Sequence, residues 1–416
     1  MRLWLLAVVG LSLSWLAELR AAEKGHQKQV AVQAATRIDW VFAVANQSPA
    51  TPPADWLPKY DSTQQKYELF VPQKFDSAKP APLILFISPS KQPTGLAQWR
   101  AVCEAHGAIF ASPYNAGNEC DTRERVRIVL DVLDDVRRRY KIDPDRTYLG
   151  GFSGGGRIAC AIAFSLPEYF GGVIPVCAAG ELRDESWLRQ RVQARLSVAH
   201  LTGETDFNRG EIERFRAPLL ADVGVRSKTW MVDGLGHSIP GAKHLDAAYR
   251  WLDEGLPARQ KFAQDFPASR ANSESAFGRA ELAQALAKEA KQRMTDPRTT
   301  YSGLMQYKGI LDRWPDLPTA QAAKTILLDA EQANPKTWEA DDIAEQRLFL
   351  ISRARRLSAY ALGPLSPQYV GQRKQMAESA LQLWNLIVAD GQDAQAIAEA
   401  KATIPKLQEL PATTKP

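Results

Sequence analysis

A serine among glycines, Gly151-Phe152-Ser153-Gly154-Gly155, is the feature of this 416-residue chain best suited to chemistry. A serine hydroxyl is a poor nucleophile near neutral pH. It needs a histidine to take its proton and a carboxylate to fix that histidine's tautomer. The motif follows a β-type run over 147–151 and precedes a helix-forming stretch over 157–164. The serine is therefore expected on a sharp strand-to-helix turn, which small neighbours permit, with the helix N-terminus favouring negative charge beside it.

Candidates for the other two roles lie downstream. The apolar run 197–202 ends in Gly203-Glu204-Thr205-Asp206, and the run 228–232 ends in Asp233-Gly234-Leu235-Gly236-His237. Asp206 and His237 thus follow Ser153 in the order Ser, Asp, His, each in a loop after a strand, where sheets of this kind place their sites. Glu204 and Asp233 compete with Asp206, and a solvated loop carboxylate is the plain alternative for all three. His244 falls on the last helix of this region, and His200 lies within a strand and reads as a packed core residue. His26 and His106 precede the serine, outside the expected order.

These residues need a scaffold, and the pattern from about 37 to 255 supplies one. Strands are expected over 40–45, 66–71, 83–88, 108–112, 147–151, 173–176, 197–202 and 228–232, alternating with helical stretches. Several are continuous apolar runs, as in strands buried on both faces of a mostly parallel, doubly wound α/β sheet. The first two carry more polar residues and are expected to form an antiparallel edge. A helix over 123–140 gathers Val126, Ile128, Val129, Val132, Leu133 and Val136 on one side. After Gly255 the prolines and polar residues of 257–272 read as a linker. The rest, 273–410, reads as an all-α domain. Its spacing around Tyr301, Leu304, Tyr307, Trp314, Ala320 and Ala323 resembles a tetratricopeptide-like helix pair. Leu381, Trp384, Ile387 and Ala400 weakly echo that spacing. An ordinary helical bundle is the other reading. Residues 411–416 are expected to be a disordered tail.

Composition narrows the function classes. The chain is 45% hydrophobic and 24% charged, with a net charge of +5 in which basic and acidic residues intermix, so nothing points to nucleic acid. Met1-Arg2, an apolar stretch over 3–17 and Ala21-Ala22 have the layout of a secretory signal peptide, expected to span 1–22, so a secreted or periplasmic location is expected. The apolar stretch is shorter than the roughly 20 residues a membrane span needs. An oxidising compartment could pair Cys103, Cys120, Cys160 and Cys177 in three ways; buried free thiols are the alternative. The cysteines form no CxxC and the histidines are scattered, so no metal or cofactor is expected.

Residues 60–255 resemble the secreted esterase and polyhydroxybutyrate-depolymerase-like branch of the α/β-hydrolase superfamily, which includes feruloyl and acetyl esterases. The resemblance rests on Tyr67-Glu68-Leu69-Phe70-Val71-Pro72, Pro82-Leu83-Ile84-Leu85-Phe86, Ile142-Asp143-Pro144-Asp145-Arg146-Thr147-Tyr148, the turn at Ser153, Thr202-Gly203-Glu204-Thr205-Asp206 and Gly236-His237. It implies an α/β-hydrolase fold and hydrolysis of a small-molecule or polymer-linked carboxylic ester through an acyl-enzyme. Ser153 would be the nucleophile, His237 the base and Asp206 its orienting acid. One feature departs from the family: the third strand is usually followed by His-Gly-Gly, which supplies half of the oxyanion hole, whereas here Ser88-Pro89-Ser90 stands in its place. The Gly154 N–H supplies the other half, and Ser90 N–H is the remaining candidate, because Pro89 has none to give. A serine peptidase ranks lower, the segment before residue 60 being too short for the propeller such enzymes carry. The reading from another class is a catalytically weak envelope protein that binds a partner through the C-terminal helices. Loops 92–98 and 115–122 would shape the substrate pocket, with Trp99, Tyr114 and Phe207 as candidate lining residues.

Overall fold

The computed structural model describes residues 24–57, 59–271, 278–333 and 337–410. The expected signal segment 1–22 and tail 411–416 lie outside them. Eight strands form one sheet: β1 (Gly25–Ala31), β2 (Lys66–Val71), β3 (Ala81–Ile87), β4 (Ile109–Pro113), β5 (Ile142–Phe152), β6 (Gly172–Val176), β7 (Ser197–Gly203) and β8 (Arg226–Val232). Their order is β1-β2-β4-β3-β5-β6-β7-β8. β1 pairs antiparallel with β2 and β2 with β4, and every later pairing is parallel.

Seven of the eight expected strands are present. The segment 40–45 is not one of them: Trp40–Ala43 forms a 3₁₀ turn that buries Trp40, Val41 and Phe42. A short apolar run fits a buried turn as well as a strand. Phe42 is held there by stacking on Trp187, with ring centroids 5.7 Å apart. The antiparallel edge is formed instead by β1, whose sequence is largely polar and half exposed.

The helices of this region are α1 (Leu96–His106), α2 (Thr122–Arg139), α3 (Gly154–Ser165), α4 (Ser186–Arg195), α5 (Arg209–Glu211), α6 (Ala217–Asp222), α7 (Ala242–Glu254) and α8 (Leu256–Asp265). Alternation along β3 shows why its apolar run is continuous. Leu83, Leu85 and Ile87 enter a core with Val129, Val132 and Ile162 of α2 and α3. Ile84 and Phe86 enter a second core with Trp99 of α1 and Leu245 and Tyr249 of α7. The sheet is thus covered on both faces.

The segment 257–272, expected as a linker, carries α8 instead. Pro257 sits in the first turn of that helix, where the missing N–H and fixed φ of proline cost nothing. Arg259 is buried there, its Nε donating to Asp145 O at 3.1 Å and its Nη2 to Leu252 O at 2.9 Å.

Beyond it run α9 (Arg279–Arg293), α10 (Thr300–Arg313), α11 (Pro318–Ala333), α12 (Thr337–Leu362), α13 (Pro367–Val370), α14 (Arg373–Asp390) and α15 (Ala394–Gln408). Leu282, Leu304, Ile310, Trp314 and Leu327 of α9–α11 and their flanks form a core of their own. In contrast, Leu357 and Tyr360 of α12 and Trp384 of α14 join the same core as Phe215 and Leu219. Among the described residues no helix is long and apolar enough to cross a membrane. All four cysteines are free thiols.

Candidate active site

Ser153 stands between β5 and α3 at φ +53° and ψ −124°, a conformation that side chains other than glycine seldom adopt. Such strain persists only where the surroundings impose it. Here the Ser153 N–H donates to Val176 O at 2.9 Å, and its carbonyl accepts from the N–H of Gly156 at 2.9 Å. Two motif glycines are needed for packing: a Cβ on Gly151 would collide with the backbone of Gly155, and one on Gly155 with Ile87 O on β3. The turn is therefore pressed against the sheet, and the serine side chain is left at its rim.

The loop after β8 brings His237 Nε2 to 3.0 Å from Ser153 Oγ. On the other side of the ring, Nδ1 lies 2.7 Å from Asp206 Oδ1. Asp206 is buried in the turn after β7 and accepts two further hydrogen bonds, from Thr202 Oγ1 at 2.6 Å and from the Asn208 N–H at 3.0 Å. Burial alone would raise its carboxyl pKa; the hydrogen bonds from His237, Thr202 and Asn208 outweigh it and hold the group below its ordinary value. Phe207 stacks on His237 with centroids 3.9 Å apart, and Phe152 lies 4.9 Å from it.

The competing residues are placed elsewhere. Glu204 accepts from the Gly234 N–H at 3.0 Å, tying two loops together. Asp233 is exposed. His200 is buried with no hydrogen-bond partner on either ring nitrogen among the described residues. His106 pairs with Asp246 at 2.7 Å, and His26 lies 3.6 Å from Glu68. His244 sits on α7.

Of the two expected oxyanion donors, the Gly154 N–H opens α3 and donates to no partner among the described residues. The Ser90 N–H does not stand free: it donates to Ser88 Oγ at 3.1 Å, and Ser90 Oγ donates to Gln92 O at 3.1 Å. Trp99, a candidate pocket residue, is fully buried beside Phe86 and belongs to the core, and Tyr114 is buried as well.

Cys177 is a neighbour that the sequence did not single out. Its Sγ and the ligand atoms of Asp206 and His237 lie within 4.8 Å of one another. Burial pushes the thiol up to about 12, so it stays protonated beside the pair.

The C-terminal helices reach this site. Tyr369 on α13 donates to Asn208 Oδ1, and Asn208 in turn donates to Cys177 O at 2.8 Å. Ser366 Oγ donates to Phe207 O at 2.8 Å. A cavity of about 400 Å³ lies between α3 and these helices, with Arg157, Glu211, Tyr360 and Tyr369 among its walls.

A mostly parallel eight-stranded sheet, a serine on the sharp turn after its fifth strand, and Asp206 and His237 on the loops after β7 and β8 together define the class. The fold is an α/β-hydrolase fold followed by a helix-rich region.

No protein-family model matches the chain, and no curated protein matches it by sequence. Among solved structures it is similar to a thermostable esterase, at 20% identity over 48% of this chain and a TM-score of 0.34; the match spans 59% of that esterase. It is also similar to S-formylglutathione hydrolase of Staphylococcus aureus, at 15% identity over 46% of this chain and 92% of that one, with a TM-score of 0.35. A third similar structure is esterase 2 of Thermogutta terrifontis, at 18% identity over 48% and 91% of the two chains, with a TM-score of 0.35.

Proposed function

We propose that this protein is an exported serine hydrolase that cleaves carboxylic esters through an acyl-enzyme. The observation that carries the reading is the continuous chain from Ser153 Oγ through His237, 3.0 Å away, to Asp206, 2.7 Å from the far ring nitrogen, built on a strained turn. His237 takes the serine proton as Oγ adds to the ester carbonyl. The tetrahedral oxyanion collapses, and His237 returns the proton to the departing alcohol. Water, activated by the same histidine, then releases the acid. Asp206 holds Nδ1–H in place throughout and offsets the imidazolium charge.

Export to the periplasm or outside the cell rests on the residues of 1–22. The test of the reaction is hydrolysis of p-nitrophenyl esters, from acetate to long acyl chains, by the mature protein beside Ser153→Ala. Turnover lost in the variant supports the reading, and equal inertness of both sinks it.

A second reading, a hydrolase-fold protein of the envelope that binds a partner through its helices, is favoured by one observation: the Ser90 N–H is occupied by Ser88 Oγ. A fluorophosphonate that labels Ser153 would argue against this second reading, since labelling needs an activated serine.

A further inference from the structure

Attack by Ser153 creates an oxyanion that needs two donors, and the two residues at the expected donor position after β3 supply none. Pro89 has no N–H, and that of Ser90 is spent on Ser88 Oγ. We infer that the side-chain amide of Asn118 is the second oxyanion donor, opposite the Gly154 N–H, and that Arg125 positions it. This rests on the ester-hydrolase reading above.

Gly154 is the first indication. Its φ is not positive, so the backbone turn does not require glycine there. The space does: a Cβ on Gly154 would lie only 3.0 Å from Asn118 Nδ2 and would overlap Asn118 Oδ1. The missing side chain of Gly154 is what lets a carboxamide from a distant loop lie against the start of α3, beside the free Gly154 N–H.

The loop that carries Asn118 is fixed rather than draped. The Asn118 N–H donates to Pro89 O at 2.8 Å and the Asn115 N–H to Lys91 O at 2.7 Å, so 115–118 is laced to the segment that replaces the missing donor loop. Arg125 on α2 clamps the assembly. It is 5% exposed and donates to Ala116 O at 2.6 Å, Ser88 O at 3.0 Å and Asn118 Oδ1 at 3.1 Å.

That last bond decides which end of the amide is which. A guanidinium has only donors, so it must face Oδ1, and Nδ2 is left with no partner among the described residues. Donation into Oδ1 also polarises the amide and strengthens the N–H at its other end. All three hydrogen-bond acceptors of Arg125 are uncharged, and it forms no ion pair among the described residues.

The test is steady-state hydrolysis of p-nitrophenyl acetate by wild type, Asn118→Ala, Asn118→Asp and Ser153→Ala. Asn118→Ala is expected to lower kcat by about 10² to 10³ while KM moves little, the signature of a contact made in the transition state. Asn118→Asp keeps the shape and the Arg125 partner, so its melting temperature should be no lower than that of wild type. It turns an acceptor toward the oxyanion, and kcat should fall at least as far. A merely structural asparagine would show the reverse pattern. The inference alone is overturned if wild type turns over and either Asn118 variant stays within threefold of its kcat. Both the inference and the hydrolase reading are overturned if wild type is no faster than Ser153→Ala.

Discussion

The Phe207 ring stacks on the His237 imidazole, with centroids 3.9 Å apart and 23° between the planes. Phe152 closes another side at 4.9 Å. The imidazole is therefore held by packing as well as by its bond to Asp206, and in the proposed mechanism its charged form would meet an aromatic face. Phe207→Ala is expected to lower kcat for p-nitrophenyl acetate by about tenfold, since such pairs contribute about 0.5–1.5 kcal/mol. Phe207→Tyr should retain most of the rate. A kcat for Phe207→Ala equal to that of wild type would show that the ring only packs.

Asp206 makes a second, sharper prediction. Asp206→Asn preserves volume but presents an amide to His237 and disfavours the tautomer that serves Ser153, so kcat should fall by about 10⁴. The same carboxyl sets a stability signature. Its folded pKa lies below its ordinary 3.8, so its contribution is complete above that value and lost as pH falls through the folded one. Urea melts should find Asp206→Asn less stable than wild type at pH 7, with the gap narrowing below about pH 4.

Gly155→Ala tests the elbow itself. A Cβ there would collide with Ile87 O, a backbone atom of β3 that cannot swing aside. The variant should lose about 1–3 kcal/mol in chemical denaturation. Fluorophosphonate labelling of Ser153 should slow in the protein that remains folded. An undisturbed melt with full labelling would mean that the turn tolerates more room than its packing allows.

The order Ser153, Asp206, His237 was legible because each residue sits just past a run of strand-forming residues, where local pattern and local geometry agree. The edge strand β1 was not, since Gly25–Ala31 is polar, half exposed and interrupted by the positive φ of Gln29. Trp40–Phe42 misled for the opposite reason: three apolar residues in a row carry no period. Pro257 reads as a break in sequence but sits in the first turn of a helix. Asn118 and Tyr369 were beyond reach. Their places depend on contacts with Arg125, only 7 residues away but across a loop of irregular shape, and with Asn208, 161 residues away.

The helices after α8 are expected to be indispensable to folding. Leu357, Tyr360 and Trp384 share one core with Phe215, Leu219 and Leu220, and Arg356 forms a paired contact with Asp222 at 2.7 Å. A chain ending at Ala271 would expose that apolar surface to water. It should be recovered as insoluble protein, whereas full-length Arg356→Ala should stay soluble with a melting temperature lowered by a few degrees. A soluble, cooperatively melting truncation would show that the sheet and its own helices suffice.

His200 gives the clearest dependence of stability on pH. It is fully buried in β7, neither ring nitrogen has a partner among the described residues, and burial lowers its pKa to about 4. The neutral ring is tolerated and the charged ring is not. Above the unfolded value near 6.5 both states are neutral, and the histidine adds no pH dependence. As pH falls from there toward 4, the unfolded chain takes up a proton that the folded one refuses, and folding weakens by about 1.4 kcal/mol per pH unit. His200→Val removes the titrating group at the cost of some volume. At pH 8 it should be no more stable than wild type, whereas at pH 5 it should be relatively more stable by about 2 kcal/mol. Urea denaturation of both proteins at the two pH values measures this difference of differences. A gap independent of pH would mean that the ring is protonated, or reaches water, in the folded protein.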